Sequence, residues 1–254
     1  MNDKIGIGII DIYEQEDLDV CYASIPDDLK PNIFIASATN NKPPVETDQY
    51  RKYGDVPMAT LRNWLLSKFR IKEYKYLFLL HSNQIIDDPK IFENTIKLGE
   101  VFGTWVVMGD GKNSLPLEDE ESGVTLHASP ELNSEFMFIL SSIISNNGYF
   151  DERFFNTKDL DVMDYILKLR KKGVYLPNHY HPTIGNGVKK SFNAIKKIGF
   201  KDFPDTHRSV GLSYGYFVHN HKYIPGQNDP AGVTQEQLLA FLETLQKNYA
   251  KPIS

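Results

Sequence analysis

Residues 76–83 read Tyr76-Leu77-Phe78-Leu79-Leu80-His81-Ser82-Asn83. Five consecutive apolar residues, with no polar position between them, describe a strand covered on both faces, as the central strands of a parallel α/β sheet are. Upstream, Pro57 suits the first turn of a helix, and Met58, Leu61, Leu65 and Phe69 fall on one face at helical spacing. Further upstream, Ile5 to Ile10 and Ile33 to Ala38 read as two more buried strands, with a helical stretch from about Asp17 to Ser24 between them. The turn-like run Asn40-Asn41-Lys42-Pro43-Pro44 ends the second strand. Downstream, a helix around Asp88 to Gly99 precedes a strand at Thr104 to Met108. Strands and helices that alternate in this way predict an α/β fold with a mostly parallel sheet flanked by helices.

The pattern loosens after Gly109-Asp110-Gly111. Glu118 to Glu121 reads as an acidic loop, Thr125 to His127 and Phe136 to Leu140 as strands, and Leu160 to Lys172 as a helix stopped by Gly173 before a strand at Val174 to Leu176. Thr234 with Gln237 forms a capping-box signature ahead of the stripe Leu238, Leu242, Leu245 and Tyr249, which predicts a C-terminal helix over 233–250. No internal repeat or linker breaks the chain. It reads as one domain, with residues 1–110 as one half and 111–232 as the other.

The bulk numbers agree with a globular protein. The chain has 254 residues, 41% of them apolar and 24% charged, which argues against disorder and against a disulfide scaffold. A single cysteine, Cys21, cannot form an intramolecular disulfide, so the cytosol is the default expectation. The first residues carry no signal-peptide h-region and no stretch approaches eighteen apolar residues, so no membrane anchor is expected. The net charge of −5 conceals a local excess. Between Lys168 and Lys201 there are nine Lys or Arg and no acid, leaving 19 basic against 33 acidic residues elsewhere. That segment is either a solvated face or a landing surface for a polyanion.

Three segments resemble the GT-A glycosyltransferases, and in particular their family-2-like group. Ala59-Thr60-Leu61-Arg62-Asn63, on a helix just before a strand, is similar to the family's Ala-Arg-Asn helix. Tyr76 to Asn83 resembles the strand that delivers its Asp-x-Asp metal motif. Gly148-Tyr149-Phe150-Asp151-Glu152-Arg153-Phe154, followed by Asp159-Leu160-Asp161 and a helix, is similar to its Gly-x-Phe-Asp-Glu block and catalytic acidic pair. The resemblance implies a single GT-A (Rossmann-like) domain, with residues 1–110 binding a nucleotide-sugar and 111–232 facing the acceptor. It implies a nucleotide-sugar donor, a divalent cation (manganese or magnesium), a hydroxyl acceptor and inversion at the anomeric carbon.

Sites follow from the same resemblance. Asp159 is the candidate base for the acceptor hydroxyl, with Asp161 beside it; the alternative is that both merely cap the helix they precede. Asp11, Tyr13, Ser37 and Asn40 fall at or just beyond strand ends, the edge that faces the ligand crevice in open α/β sheets, and would border the nucleotide. Arg62 would reach the base or a phosphate, or else form an ion pair. The resemblance puts Asp151 and Glu152 on the acceptor side.

The metal motif departs from the pattern. His81 and Asn83 stand where acids are expected, and hard cations prefer carboxylate oxygens. His219 and His221 are candidate compensating ligands; otherwise the diphosphate is held by cationic side chains or catalysis is lost, leaving a silent nucleotide- or carbohydrate-binding module. Lysines at 189, 190, 196 and 197, interleaved with Tyr175, Tyr180, Phe192 and Phe200, have the composition of a surface for a phosphate backbone. Lys189 and Lys190 are therefore candidate acceptor contacts, unless the same lysines surround the donor diphosphate, and the acceptor reads as a hydroxylated base in DNA or as a glycan.

Overall fold

Two glycines in the first strand record how closely a helix packs on it. A Cβ at Gly6 would stand 2.6 Å from a Tyr74 ring carbon and 2.7 Å from Phe69, and one at Gly8 would stand 2.9 Å from Leu65 Cδ1. The glycines in Gly6-Ile7-Gly8 thus serve helix-on-strand contact. The computed structural model describes residues 4–54, 56–102, 106–107, 115–119, 124–129, 134–154, 160–172, 181–183, 188–190 and 206–221.

The elements run β1 (Ile5–Asp11), α1 (Gln15–Ser24), β2 (Ile33–Ser37), β3 (Tyr50–Lys52), α2 (Met58–Ile71), β4 (Tyr76–His81), β5 (Gln84–Ile86) and α3 (Lys90–Phe102). Then follow β6 (Val106–Val107), β7 (Leu115–Asp119), β8 (Val124–Ser129), β9 (Phe136–Leu140), α4 (Ser141–Asn147), α5 (Leu160–Lys171), β10 (His181–Thr183), β11 (Val188–Lys190) and α6 (Thr206–His221). The main sheet has the order β3-β2-β1-β4-β9-β6. β1 is parallel to both β2 and β4, β3 is parallel to β2, and β9 runs antiparallel to β4 and β6. The expected mostly parallel mixed sheet is present.

Strand alternation divides the core between the two faces. Ile7, Ile9, Ile35, Phe78, Leu80 and Phe138 meet Leu18 and Cys21 of α1 and Ile91, Phe92 and Ile96 of α3 on one side. On the other, Phe34, Leu77, Leu79, Met137 and Ile139 meet Leu61, Leu65 and Phe69 of α2 and Val162, Tyr165 and Leu169 of α5. All six residues of β4 are buried, as the unbroken apolar run requires. Each such side chain contributes roughly 1.5–3 kcal/mol by leaving water. A smaller cluster of Phe154, Leu160, Leu167, Phe217 and Val218 joins α5 to α6.

Several expectations need correction. Pro57 is the residue before α2 rather than inside its first turn, with φ −54° and ψ 145°. Glu118 and Asp119 belong to a strand, β7, paired with β8, instead of an acidic loop. The helix expected over 233–250, the strand at Val174 to Leu176 and most of the basic segment lie outside the described residues.

Candidate functional site

β1 lies where the sheet order reverses, because β2 and β3 extend to one side of it and β4 to the other. In open α/β sheets the ligand crevice lies outside the carboxyl ends of the strands at such a point. Asp11 ends β1, Ser37 ends β2 and His81 ends β4, so the sequence-predicted residues collect on one edge. The strand ends are stitched together: Ala38 N donates to Asp11 O at 2.9 Å and Ser82 N to Ile10 O at 3.0 Å.

Asp11 does the stitching at the side-chain level. Its Oδ2 accepts from Ser37 Oγ at 2.6 Å and Thr39 Oγ1 at 2.7 Å, and its Oδ1 from Asn41 Nδ2 at 2.9 Å and Ser82 Oγ at 3.2 Å. Burial pushes its carboxyl above the usual range, and the bonds from Ser37, Thr39, Asn41 and Ser82 partly offset that. Asp11 and Ser37, expected to border the nucleotide, are fully buried and spend their polar atoms on each other. Tyr13 is buried too, its ring tilted against that of His81 with centroids 6.3 Å apart. Asn40 stays exposed on this edge and accepts a hydrogen bond from Lys52 Nζ at 2.5 Å. An open depression of about 740 Å³ lies beside these strand ends, lined by Glu14, Gln15, Asp19, Asn40 and Lys42 among others.

The turn after β4 is where the resemblance leads one to expect a divalent cation. His81, Ser82, Asn83 and Gln84 are all buried. Ser82 Oγ is committed to Asp11, while Asn83 Oδ1 accepts from Gln84 Nε2 at 2.9 Å. Gln84 Nε2 also donates to Glu135 Oε2 at 3.2 Å. The side chains in the motif itself thus present an imidazole, a hydroxyl and an amide, and the nearby carboxylate of Asp11 already accepts four hydrogen bonds. Among the described residues no three His, Cys, Asp or Glu side chains gather into a metal-binding group. His221 does not compensate: its Nε2 lies 2.7 Å from Asp164 Oδ1, which ties α6 to α5, and His219 is exposed on the same helix. This donor set does not fit manganese or magnesium. Cys21, in the α1 face of the core, has a thiol that burial pushes up to about 12, with the charges of Asp11 and Asp17 adding to it, so it is unreactive at neutral pH.

The other two motif segments meet each other. Asn63 of α2 grips the backbone of Phe150, donating from Nδ2 to its O at 2.9 Å and accepting at Oδ1 from its N at 3.0 Å. Glu152 accepts from Asn63 Nδ2 at 2.8 Å and Thr60 Oγ1 at 3.0 Å. Asp151 takes a two-pronged bond from Arg153, Nε to Oδ1 at 2.8 Å and Nη2 to Oδ2 at 2.6 Å, and a third from Tyr216 of α6 at 3.1 Å. Burial alone would raise the Asp151 carboxyl, but the bonds from Arg153 and Tyr216 outweigh it and bring it to about 2. Asp151 and Glu152, expected to face an acceptor, are engaged within the protein.

Of the two roles open to Arg62, the structure shows the ion pair, buried inside the protein. Arg62 does not reach outward for a phosphate: it is fully buried, with Nη1 2.5 Å from Asp161 Oδ2 and Nη2 donating to Ser134 Oγ at 3.2 Å. Ser134 and Glu135 immediately precede β9, whose first residue, Phe136, is the register partner of Leu80. Arg62 therefore binds the first turn of α5 to the carboxyl end of β4. Asp161 is its partner and is 1% exposed. Asp159 lies outside the described residues, one position before the first residue of α5. Lys189 and Lys190 lie in β11, paired in register with Ile85 and Gln84. Nothing in the sequence flagged the β5–β11 ladder, since each strand is three residues long.

No protein-family model and no curated protein matches the sequence. Among solved structures, GalNAc-T7 with UDP, GalNAc and Mn2+ matches with a TM-score of 0.53 at 9% identity, over 96% of this chain and 56% of that one. The chain thus spans little more than half the length of that neighbour. The mannosyltransferase PcManGT from Pyrobaculum calidifontis, in complex with GDP-Man and Mn2+, matches with a TM-score of 0.49 at 12% identity, over 97% of this chain and 74% of that one. The architecture is that of the GT-A glycosyltransferases, an α/β fold with a mostly parallel sheet flanked by helices. At such identities the likeness is one of fold. Among the described residues no helix is long and apolar enough to cross a membrane.

Proposed function

We propose that this chain is a glycosyltransferase that moves a sugar from a nucleotide-diphosphate donor to a hydroxyl acceptor, with inversion. The supporting observation is the Arg62 bridge, which ties the first turn of α5 to the carboxyl end of β4. On this reading Asp159, which immediately precedes α5 in the sequence, is the general base. Its carboxylate takes the proton of the acceptor hydroxyl while that oxygen bonds to the anomeric carbon. The bond from that carbon to the diphosphate oxygen breaks, and the nucleoside diphosphate leaves with the electron pair. Asp161 is a positioning residue, held by Arg62. The depression lined by Glu14, Gln15, Asn40 and Lys42 is the candidate seat of the nucleoside.

A second reading is a catalytically silent binding module, favoured by the neutral His81-Ser82-Asn83 turn. Incubating the pure protein with a panel of nucleotide-sugars and following donor hydrolysis separates the two. Slow release of nucleoside diphosphate from one donor supports the enzyme. Saturable binding of a donor without turnover, alone or with glycan and hydroxylated-DNA acceptors, supports the module.

A further inference from the structure

The segment after β2, residues 39–42, alternates between the interior and the crevice edge. Thr39 is buried and Asn41 half-buried, whereas Asn40 and Lys42 are exposed. Thr39 and Asn41 turn to Asp11: Thr39 Oγ1 donates to its Oδ2 at 2.7 Å and Asn41 Nδ2 to its Oδ1 at 2.9 Å. Asn41 Nδ2 also donates to Tyr13 O at 3.0 Å. From the other side Gln15, the first residue of α1, grips the backbone of Lys42. Its Oε1 accepts from Lys42 N at 2.6 Å and its Nε2 donates to Lys42 O at 3.1 Å. Gln15 Nε2 donates again to Asp19 Oδ1 at 2.8 Å. A side-chain amide has two N–H donors. Gln15 and Asn41 therefore keep no side-chain hydrogen for a ligand, although both line the depression. Asn40 and Lys42 do keep theirs. Asn40 accepts from Lys52 at Oδ1 and spends neither Nδ2 hydrogen, and the Lys42 ammonium makes no hydrogen bond or ion pair among the described residues.

We propose that Gln15 is a positioning residue for donor binding: with Asp11 as the inner anchor, it holds residues 39–42 as a preformed wall from which Asn40 and Lys42 donate to the nucleoside. This rests on the reading of the depression as the nucleoside seat of a nucleotide-diphosphate donor. Two observations carry it. The Gln15 amide is spent on the Lys42 backbone and Asp19, so it acts through the segment and not on the ligand. A fully buried carboxylate, costly to place, is spent at the inner end of the same exposed segment, where it fixes a loop and packs no core. Fixing the segment in advance removes from binding the cost of ordering it. The open donors, Asn40 Nδ2 and Lys42 Nζ, suit the carbonyl oxygens of a base or the hydroxyl oxygens of a ribose.

The test is calorimetric titration of the full chain with UDP, GDP, CDP and dTDP, to find the diphosphate that binds, followed by the same titration of variants. Gln15→Met keeps the length of the side chain and removes both bonds to Lys42. It should weaken the diphosphate by about tenfold, the scale of ordering one residue on binding, while the thermal unfolding midpoint stays at the native value. Amide hydrogen exchange of the free protein should find the Lys42 N–H protected in the native chain and open in the variant. Lys42→Ala should weaken binding by itself, and Gln15→Met added to it should cost less than in the native background, because the clamp then places one contact fewer. Should Gln15→Met fail to melt cooperatively, Gln15→Ala is titrated against the same expectation. Native-like diphosphate affinity in the Gln15 variants, an unprotected Lys42 amide in the native chain, or strictly additive effects of the two substitutions overturns the proposal. So does a loss of affinity that comes only with a lowered unfolding midpoint, which would make Gln15 a residue of general stability. If no diphosphate binds the native chain, the donor reading falls and the proposal with it, a result distinct from each of these.

Discussion

Arg62 on α2 and Asp161 on α5 form an ion pair 2.5 Å long that is closed off from solvent, with 0% and 2% of the two side chains exposed. The two residues are 99 positions apart in the chain, and the guanidinium also holds Ser134 at the start of β9. Three elements that define the edge of the crevice therefore share one charge. Such a pair adds little net stability over an apolar replacement, but breaking it removes a close countercharge from a buried ion.

That asymmetry gives a direct expectation. Arg62→Met or Asp161→Leu alone should each cost about 3–5 kcal/mol in urea unfolding, because each takes a close countercharge from a buried partner. Arg62→Met/Asp161→Leu together should cost clearly less than the sum of the two. A strictly additive double variant would show that the pair contributes no coupling.

The contrast between Arg62 and Phe78 shows which features could be read from the sequence. Phase and composition along 76–80 marked a doubly covered strand, and the whole of β4 is buried. The spacing of Leu61, Leu65 and Phe69 located the apolar face of α2 in the same way. Arg62 lies next to that face, and whether it points to solvent or to a carboxylate 99 residues away is settled by tertiary packing, which local pattern does not encode. β3 escaped for a related reason: Tyr50-Arg51-Lys52 is a short edge strand with a half-buried and two exposed residues, so it lacks an apolar signal. Helix α6 carries two glycines within Thr206–His221, which depress its local helical signal, and it is held by Phe217, Tyr216 and His221 against α5 and the 150s turn. The helix, strand and turn that carry the motif segments were legible in the sequence, whereas the contacts of their charged side chains depended on partners remote in sequence.

Asp11 offers a second test. Its carboxylate accepts from three hydroxyls and one amide at the ends of β1, β2 and β4. Asp11→Ala removes the shared acceptor and leaves those donors buried or half-buried, at about 1–3 kcal/mol for each that finds no substitute. A loss of roughly 3 kcal/mol or more is expected by thermal or urea unfolding. A loss below about 1 kcal/mol would mean that water replaces the carboxylate easily and that this edge is wetter than its burial implies.

Acid should loosen the contact between the 150s turn and α6 through Asp151. Its carboxyl is held at about 2 in the folded protein against an ordinary 3.8, so the stabilisation it provides is fully present above about pH 4. It is lost as pH falls from there toward 2. Asp151→Asn should lower stability by roughly 1 kcal/mol at neutral pH, a modest figure because the partner Arg153 side chain is 67% exposed and screened. The same variant should flatten the native chain's loss of stability between pH 4 and 2, read from urea unfolding at each pH. An equal acid slope in both proteins would assign that slope to other carboxylates.

The proposed base can be separated from a helix cap, the role that its position before α5 would otherwise explain. Asp and Asn cap helices about equally well, so Asp159→Asn should leave urea unfolding within a few tenths of a kcal/mol of the native chain. Asn has no basic oxygen for the acceptor proton, so transfer, or donor hydrolysis where water is the acceptor, should fall by about 100-fold or more. Donor binding should hardly change, which puts the loss in kcat rather than KM. Asp161→Asn supplies the control: it weakens the Arg62 pair and should lower stability and turnover together, the mark of a positioning residue. Asp159→Ala would lose the cap as well, adding about 1 kcal/mol of instability to the same catalytic defect. Turnover by Asp159→Asn within a few-fold of native, with stability intact, would remove Asp159 from the chemistry and leave it no role beyond the cap.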